Sequence, residues 1–174
     1  MCMMKDAKVA IGIGSDSDFP VIEGCISLLK RFEIEVEVLV CSAHRSPDKA
    51  SMFAKSAEEN GVDVIIAAAG KAAHLPGVLA SYTTLPVIGV PVKSSTLDGL
   101  DSLLSIVEMP KGVPVGTMAI NGGENAAIYA VQILSTAHHG LKRKLKEYKT
   151  ELSDSVEEKN AHLQKTYRGL ETHG

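Results

Sequence analysis

The run Val62–Ala69 constrains the fold most. It is apolar almost throughout, so it reads as a strand buried on both faces. A strand with no wet face needs helices above and below it, which is the setting of a parallel sheet. The rest of the chain supplies them by alternation. Val9 to Ile13 is a short apolar run. Ile22, Cys25, Ile26 and Leu29 then fall at i, i+3, i+4 and i+7, predicting a helix over 19–31. Ile34-Glu-Val-Glu-Val alternates and runs into Leu39-Val-Cys41, a strand with one wetter face near a sheet edge. Ser46 and Pro47 read as an N-cap and first helical position, with Asn60 the last residue of that helix and Gly61 its stop. A short helix over Pro76–Tyr82 and a strand over Pro86–Val90 come next. Leu100, Leu103, Leu104 and Val107 mark another helix, and Val113–Ala119 a fifth strand. Asn121-Gly-Gly-Glu124 opens a long helix that carries His138 and His139 on adjacent faces.

Five strands alternating with helices predict a three-layer α/β fold. The expected sheet is flavodoxin-like, in the order 2-1-3-4-5, with helices on both faces and a C-terminal helical tail. At 174 residues the chain is long enough for one real core. Residues 1–150 form the expected catalytic domain. Residues 151–174 are charged and poor in apolar side chains, and form a solvated tail with a break near Ser153-Asp154, packing on a neighbouring subunit. A formal charge of -3 and 4% aromatic residues exclude a nucleic-acid surface. The cysteines Cys2, Cys25 and Cys41 are odd in number and form no Cys-x-x-Cys, which points to a reducing compartment and away from zinc. Met1–Lys8 has too little apolar length for a signal peptide, and no run is long enough to span a bilayer, so the expectation is a cytoplasmic protein.

In such a sheet the strand-to-helix loops share one edge, where ligands bind. The unusual residues of this chain sit in those loops. Ser15, Asp16, Ser17 and Asp18 follow the first strand, Ser42, His44 and Arg45 the second, Gly70, Lys71 and His74 the third, and Lys93, Ser94 and Ser95 the fourth. Arg45 and the serines offer donors for a phosphate. Asp18 suits sugar hydroxyls, and His44 and His74 suit proton transfer. Together they point to a sugar phosphate carrying a group that gains or loses a proton. Each also has a plainer role. Asp18 can cap a turn, Arg45 can pair with a carboxylate, Lys71 and Lys93 can be solvated, and His74 can cap the short helix.

Several chemistries lack their signature. Gly12 and Gly14 begin a Gly-x-Gly-x-x-Gly, but Ser17 stands at the third glycine, and no Gly-Lys-Ser/Thr follows. No Gly-x-Ser-x-Gly surrounds Ser15. No third ligand stands at metal-like spacing from His44 and His74, so no metal is expected.

Gly14-Ser-x-Ser-Asp18, Ser42-Ala-His-Arg-x-Pro47, Ala69-Gly-x-Ala-Ala-His-Leu-Pro-Gly77 and Met109-Pro-x-Gly-x-Pro-Val-Gly116 resemble a purine-biosynthesis family, the one that makes carboxyaminoimidazole ribonucleotide. The resemblance implies a flavodoxin-like subunit in a homo-oligomer, usually an octamer, with active sites at subunit junctions and no cofactor. The substrates it implies are a ribonucleotide and carbon dioxide. It places His44 as the proton carrier, Ser15, Ser42 and Arg45 on the phosphate, and Asp18 on the ribose. Gly70–Leu75, with Lys71 and His74, lines the carboxylate pocket. Gly14, Ser17, Ala43, Gly70, Ala72 and Leu75 are the further expected substrate contacts.

The family contains two reactions giving the same product. One carboxylates aminoimidazole ribonucleotide directly with carbon dioxide. The other, a mutase, moves a carboxylate from the exocyclic nitrogen to the ring carbon. Mutase-type members typically read Gly-Gly-Ala-Ala-His-Leu-Pro-Gly. This chain has Lys71 at the second glycine, as direct carboxylases have a basic residue there, yet it keeps His-Leu-Pro-Gly. The basic residue tips the expectation towards the direct carboxylase, with the mutase as alternative. A non-catalytic flavodoxin-like module for a nucleotide or FMN is the alternative of another class. Few aromatics to stack a flavin count against it. A biotin-dependent carboxylase is disfavoured, since no Ala-Met-Lys-Met site occurs.

Overall fold

The computed structural model describes residues 7–171, with side chains as far as residue 168. Cys2 and most of Met1–Lys8 lie outside the described residues. β1 (Lys8–Ile13), β2 (Glu35–Val40), β3 (Val64–Gly70), β4 (Val87–Val92) and β5 (Gly116–Thr117) form a parallel sheet in the order β2-β1-β3-β4-β5. This is the predicted flavodoxin-like order. α1 (Phe19–Arg31) and α5 (Gly123–Leu134) pack together on one face. α2 (Pro47–Ser56), α3 (Leu75–Tyr82) and α4 (Leu100–Val107) cover the other. The chain divides into two compact units, one ending at Leu134 and one beginning at Ser135. The sheet lies wholly in the first unit, and α6 (His139–Glu171) makes up most of the second.

Burial follows the strand pleat. Val9, Ile11 and Ile13 of β1 are fully or almost fully buried, as are Val64, Ile66, Ile88 and Val90 of β3 and β4. On the α2–α3 side the sheet presents small residues, Ala10, Gly12, Ala67 and Ala69, which admit Phe53 and Leu79 at close range. A methyl group on Gly12 would stand 3.3 Å from Leu79 Cδ1 and 3.4 Å from Phe53 Cε1. Close helix–sheet packing therefore explains Gly12 without any ligand.

Several local expectations are corrected. The long helix does not continue past Leu134. Residues 135–137 form turns and His138 is irregular, so His138 lies between helices and His139 opens α6. Conversely, α6 passes Ser153-Asp154 without the expected break, and the boundary drawn at residue 150 falls inside it. α2 ends at Ser56 rather than Asn60. Hydrogen-bonded turns carry the chain to Gly61, whose φ of 81° makes the stop. α4 forms where the stripe Leu100, Leu103, Leu104 and Val107 marks a helix, but most of that stripe faces outward. Leu100, Leu104 and Val107 are exposed, while Ser102 and Ile106 are buried. β2 is an edge strand as read, yet its exposed residues include Val38 and Val40 as well as Glu35. The Lys8 ammonium bridges Glu35 at 3.2 Å and Glu37 at 3.1 Å on that edge. β5 shrinks to two residues, although Met118 N and Asn121 N still donate to Gly89 and Pro91 of β4.

Candidate active site

Every parallel strand ends at the same sheet edge, so four loops meet there. They enclose a cavity of about 650 Å³. All the expected site residues line it: Gly14, Ser15, Ser17 and Asp18 from the first loop, and Ser42, Ala43, His44 and Arg45 from the second. Gly70, Lys71, Ala72, His74 and Leu75 come from the third, and Lys93, Ser94 and Ser95 from the fourth. Two apolar wall residues, Ala69 and Val92, were not anticipated. Both lie at strand ends, where an apolar run gives no sign of facing a ligand.

The first loop is held by its own polar groups. Gly14 N donates to Ala68 O at 3.0 Å, fixing the exit from β1. Ser15 caps a single 3-10 turn over Asp16–Asp18, and Asp18 Oδ2 accepts from Ser15 N at 3.1 Å. This reciprocal arrangement is a capping box. The plainer role for Asp18 is therefore real, though it caps the turn and not α1. Asp18 as a whole residue is only 8% exposed. Burial pushes its pKa above the ordinary value, with Asp16 adding to the rise and the Ser15 N–H and Arg45 opposing it. Ser17 Oγ donates to Ser15 Oγ at 3.0 Å, so the two hydroxyls form one small donor group.

The second loop is tied by serines. Arg45 N donates to Ser42 Oγ at 3.1 Å, and Ser42 N donates to Ser46 Oγ at 3.0 Å. Ser46 thus ties the loop and makes no side-chain cap on α2, as its donation to Ser42 O at 3.2 Å underlines. Arg45 Nη2 reaches Gly14 O at 3.4 Å, drawing the guanidinium to the first loop. A planar cation beside two hydroxyls is a sound phosphate donor set.

His44 and His74, 30 residues apart, meet directly. Nε2 of His44 lies 2.8 Å from Nδ1 of His74, with the rings edge-on at 66°. His74 sits at the N-cap position of α3 but makes no side-chain cap, so its ring is committed to His44. One of the two facing nitrogens must carry the proton and the other accept it. The contact can hold one proton between the rings, and a second would place N–H against N–H.

Lys71 has a φ of 56°, in the left-handed region that favours glycine. Its exposed side chain lies at the cavity. Lys93 pairs with Asp98 at 3.1 Å, and Ser94 Oγ donates to Asp101 at 2.8 Å. Lys93 N donates to Asn121 Oδ1 at 2.9 Å, while Asn121 N donates to Pro91 O at 2.8 Å. Asn121 therefore clamps the fourth loop from a left-handed backbone, φ 58°. Sequence reading gave it only a helix-opening role. Its one clue was an Asn before two glycines, a residue type that tolerates that conformation. Among the described residues no cluster of three or more metal-ligating side chains occurs.

Comparison with known proteins bears on the family and the fold. Residues 8–155 match the family model described as AIR carboxylase. N5-carboxyaminoimidazole ribonucleotide mutase of Pyrococcus horikoshii is 52% identical over 163 residues, covering 92% of each chain. The enzyme of that name from Thermotoga maritima is 55% identical over 157 residues, 90% of this chain and 92% of that one. The chloroplastic phosphoribosylaminoimidazole carboxylase of Vigna aconitifolia is 49% identical over 153 residues, 88% of this chain but 28% of that protein. Among solved structures, Treponema denticola PurE superposes with a TM-score of 0.80 at 27% identity, covering 90% of this chain and 98% of that one.

Proposed function

Because this chain belongs to the AIR carboxylase family, we propose that it is the mutase, moving the carboxylate of N5-carboxyaminoimidazole ribonucleotide from the exocyclic nitrogen to the ring carbon. One observation carries the choice: relatives of that name match along 92% of their own length at 52% and 55% identity. The carboxylase named above is matched over only 28% of its length. This revises the expectation that Lys71 prompted.

In this reading Arg45, Ser15 and Ser42 hold the phosphate, Asp18 the ribose, and Gly70–Leu75 the migrating carboxylate. Gly14, Ser17, Ala43 and Ala72 complete the contacts. The exocyclic N–C bond breaks to give carbon dioxide, and that nitrogen takes up one proton. The ring carbon, nucleophilic as an enamine, then bonds to carbon dioxide. Its hydrogen leaves as a proton to His44, and the ring regains aromaticity. One proton is consumed and one released, so the cycle is neutral. A histidine pair with one shared proton suits such a cycle. Holding carbon dioxide against the ring supplies much of the rate, since it offers few handles.

Direct carboxylation is the second reading, favoured by Lys71. A cation at the cavity, held in a backbone conformation costing about 1–2 kcal/mol for a non-glycine residue, would hold carbon dioxide or bicarbonate near the ring. We also infer a cytoplasmic homo-oligomer. Buried free thiols at Cys25 and Cys41 fit a reducing compartment. The apolar face of α4 and the turn before it, with Leu97, Leu100, Leu104 and Val107 each 47–57% exposed, fits subunit contact.

The test supplies each substrate separately. N5-carboxyaminoimidazole ribonucleotide without bicarbonate is expected to be converted, and aminoimidazole ribonucleotide with moderate bicarbonate and no ATP is not. Efficient use of the second with none of the first overturns the mutase in favour of the carboxylase. His44→Asn is expected to bind nucleotide with an unchanged Kd and lose at least about 100-fold in kcat. Near-normal turnover removes His44 as the proton carrier.

A further inference from the structure

The apolar residues of α6 repeat every eleven positions. Leu141, Leu152 and Leu163 form one column, and Leu145, Val156 and Tyr167 a second, with Tyr148 and Lys159 between them. Eleven residues make three turns at about 3.67 per turn, close to the 3.6 of a straight helix. The columns therefore stay on one side along the whole of α6. Four of these side chains stand in solvent: Leu152, Val156, Leu163 and Tyr167 are 52%, 61%, 62% and 55% exposed. A stripe this long on an otherwise charged helix marks a helix-pairing face.

The charges say what covers it. Residues 142–149 carry five cations, Lys142, Arg143, Lys144, Lys146 and Lys149, and one carboxylate, Glu147. Residues 151–158 carry four carboxylates, Glu151, Asp154, Glu157 and Glu158, and no cation. A second α6 laid antiparallel about residue 150 sets each basic block on the other's acidic block. A parallel pair stacks like on like. At 100° per residue Lys144 and Glu158 lie on the same flank of the stripe, so antiparallel copies bring one beside the other. The pair Arg143 Nη1 to Glu147 Oε1, at 3.1 Å, lies within one helix, with Arg143 opposite the stripe and Glu147 eleven residues before Glu158 in the same column.

We propose that α6 pairs antiparallel with α6 of a second copy of this chain, along the Leu152–Val156 stripe and centred near residue 150. This pairing is independent of the reaction the first unit performs.

The test measures distances between spin labels in the full chain, with Cys2 replaced by serine and a single cysteine placed on α6. A label at position 152 is expected to lie within about 15 Å of its twin. A label at 163 is expected about 40 Å from its twin, since each sits 13 residues from the centre at 1.5 Å per residue. Short distances at both positions would mean a parallel pair, and long distances at both would mean no pairing. Either result overturns the proposal. As a second measurement, Lys144→Glu and Glu158→Lys should each lose the 152 signal at physiological salt, and the double variant should recover it. Failure of the double variant to recover, with helix content intact by circular dichroism, also overturns the antiparallel register.

Discussion

Asp18 has two tasks, and they pull its carboxylate in opposite directions. It accepts the Ser15 N–H, which holds the loop and favours the charged form, yet it is buried, which disfavours that form. Burial wins, so the folded pKa lies above the unfolded one. The native state then binds more protons than the unfolded chain between those two values. Stability from this group is full below the ordinary value of 3.8 and is lost as pH rises through the higher folded value. Asp18→Asn is expected to remove that slope and leave Tm at neutral pH equal or higher, while nucleotide affinity falls. Asp18→Ala removes the acceptor for Ser15 N–H as well and is expected to cost about 1–2 kcal/mol, read by urea denaturation. Lys71 makes the complementary case. Lys71→Gly relieves a left-handed non-glycine residue but loosens the unfolded chain, so stability is expected to stay level or rise by up to about 1 kcal/mol. The carboxyl-donor preference is the informative readout. Loss of any residual bicarbonate-dependent activity ties Lys71 to carbon dioxide, and an unchanged ratio of the two substrates makes it a solvated surface lysine. The polar lining of the cavity was legible at this scale because each polar residue interrupts an apolar run at a strand end. The His44–His74 contact was not, because it depends on how two loops fold towards each other.

Helices and strands were legible where burial shapes the apolar pattern, as a period in α1, whose predicted bounds match, and as a continuous run in β3. They were illegible where assembly or local geometry overrides it. α4 carries a clear apolar stripe, but periodicity cannot say whether such a face meets its own sheet or another chain, and here most of it points out. The interruption after Leu134 was missed because Ser135-Thr136-Ala137 contains no Gly or Pro to announce a stop. Among the close approaches between α1 and α5, the tightest is at Gly123. A methyl group on Gly123 would overlap the Val21 carbonyl, and backbone cannot swing aside as a side chain can. Gly123→Ala is therefore expected to destabilise by about 1–3 kcal/mol although alanine is the better helix former. Thermal unfolding checks this. A gain in Tm would show that α1 and α5 separate more easily than their packing implies. Because α1 starts directly after the Asp16–Asp18 turn, the same variant should also weaken nucleotide binding.

Across the whole chain, stability is unevenly distributed. The first unit holds nearly all the fully buried side chains, and β1, β3 and β4 are its centre. In α6 most of the side chains are exposed, so the helix rests on local propensity, ion pairs such as Arg143–Glu147, and whatever covers its stripe. Hydrogen exchange should therefore divide the molecule at about residue 135. Amides of β1, β3 and β4 are expected to exchange through global unfolding, and those of α6 through openings of lower free energy. Bound nucleotide adds RT ln(1 + [L]/Kd), about 2.7 kcal/mol at a hundredfold excess over Kd, to any opening that destroys the site. It should slow the strands and the four loops by up to about 100-fold and leave α6 unchanged. Protein concentration should slow α6 if two copies pair there, and should slow the first unit only in so far as its α4 face meets another copy. If nucleotide protects α6 as strongly as β3, the two units open together and the division at Leu134 has no thermodynamic meaning. If α6 exchanges at one rate from low to high concentration, its apolar stripe is not held by a second copy.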